Sequence, residues 1–363
     1  MTTEPATLME LARVFLRLGA TSFGGPAAHI AIMEEEIVKR RGWVTRERFL
    51  DLLGAANLIP GPNSSEVAMH LGWQRAGMPG MVVAGIAFIF PAVAITLALA
   101  WAYAAYGTLP LLTAPFAGIR AALIAVILGA VWRLGRSAIR SPTLAVIGVL
   151  VLAASLAGGN ELFLLLAAGV LGASWTAGIP GFARGGTAGA VEPTLLALFL
   201  YFLKIGSILY GSGYVLIAFL EGGLVDRLHW LTRAQLLDAI AAGQFTPGPV
   251  LSAAAFVGYL IYGVPGALLS TLGIFLPSFV FVAITSPWVG RLRKTPWPAA
   301  FLDSVNVASL ALMVAVAVKL IPEALTGVRA WVIAVASLLV LARWSLSPAW
   351  IVGAGALLGW LLL

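Results

Sequence analysis

Apolar residues run along the chain in long blocks rather than in the alternating pattern of strands or the one-sided pattern of soluble helices. Most blocks approach or exceed the ~20 residues that cross a ~30 Å hydrocarbon core as a helix, and the alternating pattern of a membrane β-barrel is absent. The pattern therefore predicts an all-α polytopic membrane protein. In the first half the blocks cover residues 7–33, 51–71, 80–106, 111–132, 142–157 and 161–178.

The same blocks return in the second half from about residue 194. A shift of 187 aligns residues 15–62 with 202–249 without a gap, and 18 of these 48 positions are identical. Internal duplication of this kind is common among transporters. We therefore predict two homologous repeats, residues 7–180 and 194–363, joined by a linker at 181–193.

Basic loops lie out of phase in the two halves. If such loops face the cytoplasm, the two basic loops of the first half lie on the same side of the membrane, and an even number of crossings separates them. Three blocks lie between these loops, so one of the three does not span the membrane. Block 51–71 is the candidate, because Pro60 and Pro62 interrupt its helix, and irregular backbone survives at membrane depth only inside protein or along a cavity. Each repeat would then have about five spans plus one re-entrant broken helix, and the odd number would invert the second repeat. Two parallel halves of six spans remain the alternative. The basic residues are Lys39, Arg40, Arg41, Arg46, Arg48, Arg133, Arg136 and Arg140 in the first half, and Arg291, Arg293, Lys294 and Arg343 in the second.

Composition narrows the function. With 61% hydrophobic and 10% charged residues and a mean hydropathy of +0.99, the chain is not a soluble domain. The acidic N-terminus does not resemble a cleaved signal peptide. The sequence contains no cysteine and only three histidines, so we expect neither a metal site nor thiol chemistry. We also expect no cofactor and no catalytic residues. Membrane orientation explains the net charge of +7 better than nucleic-acid binding does. A phosphate-binding loop for ATP is also absent.

Two Pro-Gly-Pro turns at equivalent positions are the first candidate site. Residues 63–66 read Asn-Ser-Ser-Glu, which fits an N-cap with Glu66 at N3, so we predict that a half-helix begins at Asn63. The free N–H groups and positive dipole end of such a half-helix bind anions. The predicted substrate-binding residues are Asn57, Pro60, Gly61, Pro62, Asn63, Ser64, Ser65, Gln244, Pro247, Gly248, Pro249 and Ser252.

A cation also recurs at equivalent positions, Arg17 and Lys204, shortly before a glycine break that includes Gly24 and Gly25. Charged residues inside a bilayer are costly and usually functional. The two cations could neutralise a dianion, Arg17 through a bidentate fork. Alternatively, both side chains could extend to the headgroups from near a helix end. Both interpretations stay open.

Glu66 and His70 are candidates for coupling or gating. Glu66 either completes the helix cap or carries a proton and repels anions until it is protonated. The matching residue in the second half is Ala253, so the role would be asymmetric. The interpretation favoured by the sequence is the cap. His70 lies one turn later and is either a packing residue, the favoured choice, or a titrating switch.

Four stretches resemble the chromate ion transporter family: FGGPAAHIAIMEEEIV (23–38), GWVT (42–45), NLIPGPNSSEVA (57–68) and the second copy FTPGPV (245–250). Long members of that family are two homologous halves in one chain. The resemblance implies chromate efflux and resistance, with sulfate as a related anion, in a bacterial inner membrane. The second copy departs from the first at Ser212, Gly213, Gln244 and Ala253.

The leading hypothesis is therefore a transmembrane oxyanion transporter that exports chromate. Moving a dianion out of an inside-negative cell gains roughly 4.6 kcal/mol per 100 mV. Proton-coupled uptake or exchange of sulfate or another anion is the alternative, and an intramembrane phosphatase-type enzyme is a weaker one. Expected partners are the oxyanion and membrane lipid, with no nucleic acid, and the sequence is compatible with a homodimer.

Overall fold

The computed structural model describes residues 7–23, 26–107, 109–177, 192–210, 215–288, 297–344 and 346–362. The regular structure within these ranges is entirely helical, as predicted. The α-helices are α1 Leu8–Thr21, α2 Pro26–Met33, α3 Arg46–Ala56, α4 Asn63–Tyr106, α5 Pro110–Ala138, α6 Pro142–Leu156, α7 Glu161–Ala177, α8 Leu195–Ile208, α9 Val215–Leu220, α10 Arg233–Phe245, α11 Ala253–Thr285, α12 Trp297–Ala324, α13 Val328–Arg343 and α14 Pro348–Leu362.

Two π-helices lie at equivalent places in the two halves, and two 3₁₀ turns flank α11. A π-helix follows α2 at Glu34–Arg40, and another follows α9 at Glu221–Val225. A single 3₁₀ turn at Val250–Ser252 precedes α11, and a second at Ser286–Trp288 follows it.

Helix α4 is two antiparallel arms rather than one rod. As a straight helix its 44 residues would be about 66 Å long, far more than a bilayer needs. Ala76 and Gly77 have non-helical backbone angles, and the backbones of Gly72 and Gly80 lie in direct contact. The chain therefore reverses at residues 76–77. We call residues 63–75 arm 4a and residues 78–106 arm 4b.

Helix α11 folds back in the same way. Its break falls at Tyr262 and Gly263, and Gly258 lies against Gly266. We call residues 253–261 arm 11a and residues 264–285 arm 11b. Gly77 (φ 58°, ψ −147°) and Gly263 (φ 61°, ψ −150°) have nearly the same conformation, so the duplication seen in the sequence extends to backbone detail.

The two halves interlock. Helices α4 and α11 pack together at the centre, with α1 against α4 and α8 against α11. Around them α5 packs against α13 and α14, while its equivalent α12 packs against α6 and α7. Each half therefore covers part of the other. Of the described helices, α4, α5, α11 and α12 are long and apolar enough to cross a membrane, and the remaining apolar helices are shorter. This is a multi-pass helical membrane protein.

Most of the predicted blocks correspond to these helices, but block 7–33 is two helices, α1 and α2, because the first ends at Thr21. Blocks 142–157 and 161–178 are α6 and α7, and block 80–106 is arm 4b. Block 51–71 is interrupted between Ala56 and Asn63, as its prolines predict. The predicted linker at 181–193 lies almost wholly outside the described residues.

Candidate functional site

The first Pro-Gly-Pro turn joins α3 to arm 4a. Pro62 is the N-cap residue, and arm 4a begins at Asn63 as predicted. Gly61 has a φ of +141°, which side-chain-bearing residues rarely adopt. The amide of Asn63 donates to Oδ1 of Asn57 across the turn at 2.6 Å. Asn57 is exposed, so this polar bridge lies at an accessible edge of the turn.

The second turn joins α10 to the 3₁₀ turn before arm 11a, and it is closed. Gly248 has a φ of +84°. Ser252 and Thr246 are both buried. The hydroxyl of Thr96 in arm 4b donates to Oγ of Ser252 at 3.1 Å. The hydroxyl of Thr246 donates back to the carbonyl of Gly243 at 3.0 Å.

Each turn is hydrogen-bonded to the opposite half. The amide of Gly61 donates to the carbonyl of Leu209 at 2.7 Å, and the amide of Gly248 donates to the carbonyl of Ser22 at 2.9 Å. Gly61 and Gly248 are equivalent in the duplicated sequence, and so are Ser22 and Leu209. The two hydrogen bonds therefore join equivalent positions: the turn of each half donates to the end of the first helix of the other half.

Both turns lie near the middle of the long arms. A Cβ on Gly248 would contact Ala92 and the carbonyl of Phe88, halfway along arm 4b. A Cβ on Gly61 would overlap the hydroxyl of Ser278, within arm 11b. The turns are therefore enclosed by the opposite half at the depth where arms 4b and 11b have their midpoints.

The contacts along arm 4a give the relative directions of the arms. Glu66 contacts Ser278 and His70 contacts Ser286, so arm 4a runs parallel to arm 11b. Within the first half, Gly72 lies against Gly80, so arm 4a runs antiparallel to arm 4b. Arm 11b is consequently antiparallel to its own equivalent, arm 4b.

Helix α3 and arm 4a form a hairpin whose tip is the first turn, and we call it the first hairpin. At its base, Nε of Arg48 donates to Oε1 of Gln74 at 3.2 Å. The guanidinium of Arg75 lies over the ring of Trp43, 5.2 Å from its centroid. The start of α3 and the end of arm 4a are thus side by side. Helix α10 with arm 11a is the equivalent second hairpin.

The predicted capping box at Asn63 is wrong. The N-cap position belongs to Pro62, which has no side-chain hydrogen bond to offer. The carboxyl of Glu66 turns instead towards the other half, where the hydroxyl of Ser278 donates to its Oε1 at 3.1 Å. The sequence could not indicate this contact because Ser278 is 212 residues away.

His70 is fully buried one turn after Glu66, and its Nδ1 lies 2.9 Å from Oγ of Ser286. The burial of His70 and its single polar contact agree with a packing role. Among the other predicted donors, Ser64, Ser65 and Gln244 are buried. The hydroxyl of Ser65 has no hydrogen-bond partner in the described part of the chain.

The two predicted cations lie away from the buried turns. Arg17 is on the exposed face of α1, opposite Phe15 and Leu18, and its NH2 group pairs with Glu36 at 2.5 Å. Lys204 is exposed and pairs with no described carboxylate. Its half has Gly223 at the position that matches Glu36. Gly24 and Gly25 lie outside the described residues.

Sequence reasoning missed Ser22 and His29, which lie beside the second turn. Both are buried, and the hydroxyl of Ser22 has no partner among the described residues. The imidazole of His29 lies next to the backbone of Ser22 and edge-on to Phe88, with centroids 5.8 Å apart. The available signal was a histidine within residues 23–38, one of the stretches that resemble the chromate ion transporter family.

A buried ion pair fixes the second hairpin to the first half. Nε and NH2 of Arg120 donate to the two oxygens of Asp238 at 2.8 and 2.6 Å. The hydroxyl of Tyr103 donates to Oδ2 of Asp238 at 2.8 Å. Asp238 is equivalent to Asp51, but Arg120 matches Asn306, so this clamp belongs to one half only.

A matched ion pair lies at the base of each hairpin. Arg46 pairs with Glu34 at 3.2 Å, and the equivalent Arg233 pairs with Glu221 at 3.1 Å. In the second half Lys319 also contacts Glu221 at 3.1 Å. An open pocket of about 570 Å³ lies beside this second network. Among the described residues no cluster of histidine and carboxylate side chains is suited to a metal ion.

Two broken segments, each held against the opposite half of an interlocked helical bundle, are typical of internally duplicated membrane transporters. The chromate transporter family profile matches the chain twice, at residues 9–173 and 196–360. The protein belongs to this family. Because the family consists of transporters, the expectation of a transport protein rather than an enzyme is confirmed.

Three relatives are each 32% identical to this chain. A chromate transport protein of Cupriavidus metallidurans aligns over 97% of this chain and 92% of its own length. A probable chromate transport protein of Synechococcus elongatus aligns over 84% and 82%. A chromate transport protein of Pseudomonas aeruginosa aligns over 87% and 82%. No solved structure matches the chain.

Proposed function

We propose that this protein exports chromate across the bacterial inner membrane. The observation that carries the proposal is that each Pro-Gly-Pro turn is hydrogen-bonded to the opposite half, beside the middle of the long arms. Substrate sites of duplicated transporters are built from such broken helices near the bilayer midplane. The names of the relatives supply the anion, chromate, and the chemistry of the turns suits an oxyanion.

The repeats, residues 7–180 and 194–363, have inverted topology in this proposal. The antiparallel order of arms 4b and 11b supports inversion, because equivalent helices of parallel repeats would run in the same direction. The first hairpin supports a re-entrant segment, since Arg48 and Gln74 meet at its base. Arg46 and Arg136 then face the cytoplasm, and Arg233 faces the opposite side.

The oxyanion binds at the tips of the two hairpins. Arms 4a and 11a both begin at the turns, so their free N–H groups and positive dipole ends point towards the midplane. Asn57 and Asn63 offer an accessible polar edge there, and Ser65 offers a hydroxyl that has no hydrogen-bond partner among the residues the structure describes. Arg17 and Lys204 contribute a long-range positive potential, because both are exposed and separate from the turns.

An inside-negative membrane potential favours efflux of a dianion, because moving two negative charges outwards lowers the free energy by roughly 4.6 kcal/mol per 100 mV. Sulfate, an oxyanion of the same charge and shape, is the expected competitor. In this proposal the central site lies between the two halves of one chain, so a homodimer is not required for binding.

The test is uptake of radiolabelled chromate into everted vesicles and proteoliposomes that contain the purified protein. We expect saturable uptake, driven by an inside-positive potential and inhibited by sulfate. Asn63→Ala should raise KM a few-fold while the backbone N–H groups remain. Liposomes that contain folded protein and take up no chromate would contradict the proposal. The matched control is Asn160→Ala, which removes an exposed asparagine at the start of α7.

A further inference from the structure

Glu66 is a fully buried carboxyl with one neutral partner. Its Oε1 accepts a hydrogen bond from Ser278, and its Oε2 has no partner in the described part of the chain. No described lysine or arginine pairs with it. An ionised carboxylate in such surroundings costs several kcal/mol more than a neutral one. The resting side chain therefore carries a proton.

The groups that face Glu66 are few. Arm 11b presents Ser278, the 3₁₀ turn after it presents Ser286, and neither segment contains a titratable residue. Tyr210, after α8, is close enough to interact with Glu66 electrostatically. His70 lies one turn further along arm 4a, and the charge of Arg48 in α3 acts on it. Among the described residues, no cation lies close enough to replace the proton on Glu66.

The position of Glu66 links the proton to the substrate site. It belongs to the first turn of arm 4a, whose N–H groups are the proposed anion donors, and its Oε1 fills the space beside Gly61. The second half has Ala253 at the equivalent position, and Ser278 is matched by Ala92. The carboxyl and its hydroxyl partner therefore belong to the first turn and have no counterpart at the second.

We propose that Glu66 is the proton-binding group of the transporter and that the proton travels with the oxyanion. This inference rests on the proposed function. A carboxylate within one helical turn of the anion site repels a dianion, and protonation removes the repulsion. Proton and oxyanion binding therefore favour each other, which produces symport rather than exchange. Because Glu66 is the one fully buried carboxyl without a charged partner in the described ranges, one proton moves with one dianion, and the net charge moved is −1. The membrane potential still drives this charge outwards.

The experiment uses the full-length protein in proteoliposomes, in sodium-free buffer, with the potential clamped at zero. The pH range is one in which chromate is the dianion on both sides. A gradient of about one pH unit, alkaline inside, should concentrate radiolabelled chromate about tenfold in the lumen for the wild type. Glu66→Gln should let chromate equilibrate without concentrating it. The control Glu47→Gln, an exposed carboxyl of α3, should concentrate chromate as the wild type does.

Equal accumulation by Glu66→Gln and the wild type would overturn the inference, and so would a wild type that only equilibrates chromate or needs a sodium gradient. In those cases the transport function would stand. A wild type that admits no chromate would instead overturn the proposed function, and the inference with it. If Glu66→Gln does not fold, Glu66→Ala, which copies Ala253 of the second half, replaces it with the same expected result.

Discussion

The first and second hairpins share sequence and backbone, yet they are packed differently. In the first, α3 contacts mainly arm 4a and the adjacent π-helix, and it leaves Leu50 and Asn57 exposed. In the second, α10 also packs against α5 and α14 and is mostly buried. Asp238 of α10 is held by Arg120 and Tyr103 of the first half.

The core of the protein divides in the same way. The first hairpin, α1 and α2 share a small hydrophobic core that includes Phe15, Phe49 and Phe88. The second hairpin belongs to the large core that contains most of the remaining helices. Duplication thus supplied two equivalent turns, of which one has an exposed edge at Asn57 and carries a buried carboxyl, and the other is fixed and neutral.

The largest expected effect comes from breaking the clamp of the second hairpin. Asp238→Asn leaves the guanidinium of Arg120 without its carboxylate in a largely buried place, which should cost roughly 3 kcal/mol of stability. Asp51→Asn, the equivalent change in the first hairpin, should cost less because Asp51 is less buried. The measurement is thermal unfolding in detergent.

The double variant Arg120→Leu/Asp238→Leu separates the clamp from general damage. Removing both charges leaves no unpaired charge, although the hydroxyl of Tyr103 loses its acceptor, so much of the stability should return. A double variant as unstable as Asp238→Asn would show that the ion pair is not what holds the second hairpin.

Close packing at the two equivalent glycines should be the next most sensitive feature. A Cβ on Gly19 would overlap the carbonyl oxygen of Phe88, and a Cβ on Gly206 would overlap that of Ile274. Because backbone cannot move aside as a flexible side chain can, each change to alanine should cost roughly 2 kcal/mol. Gly54→Ala in α3 meets no atom within 4 Å and is the matched control. If Gly19→Ala were harmless and Gly206→Ala were not, the halves would not be equivalent at this contact.

The smallest effect is expected at the two cations. Arg17→Gln and Lys204→Gln should each raise KM for chromate a few-fold in the flux assay, because exposed charges act at long range and are screened by salt. Arg17 is already paired with Glu36, so its change should have the weaker effect. Wild-type kinetics in both variants would identify the cations as interfacial anchors.

Much of the fold could be predicted from the sequence because membrane helices are local features. The apolar blocks, the duplication and the breaks at Pro60 and Pro62 all depend on near neighbours in the chain. The chain reversal at Ala76 and Gly77 was harder to predict from the sequence, although a Pro-Gly pair follows it and recurs in the second half.

The site could be predicted only in part, because its decisive contacts join the two halves. Local capping rules assigned Glu66 to its own helix, whereas its partner is Ser278 in the other half. In the same way, the partner of Asp238 is Arg120, from a helix with no charge at the equivalent position in the second half. Such tertiary contacts override a local preference without leaving a sequence signal.

The most direct test of the account is the side of the membrane on which the two hairpin bases lie. The chain contains no cysteine, so Arg46→Cys and Arg233→Cys each introduce a single thiol at an ion pair with an exposed cation. With a membrane-impermeant maleimide, Arg233→Cys should react in intact cells, while Arg46→Cys should react only in everted vesicles. Labelling of both positions from the same side would contradict the inverted arrangement and, with it, a central site formed by two opposed hairpins.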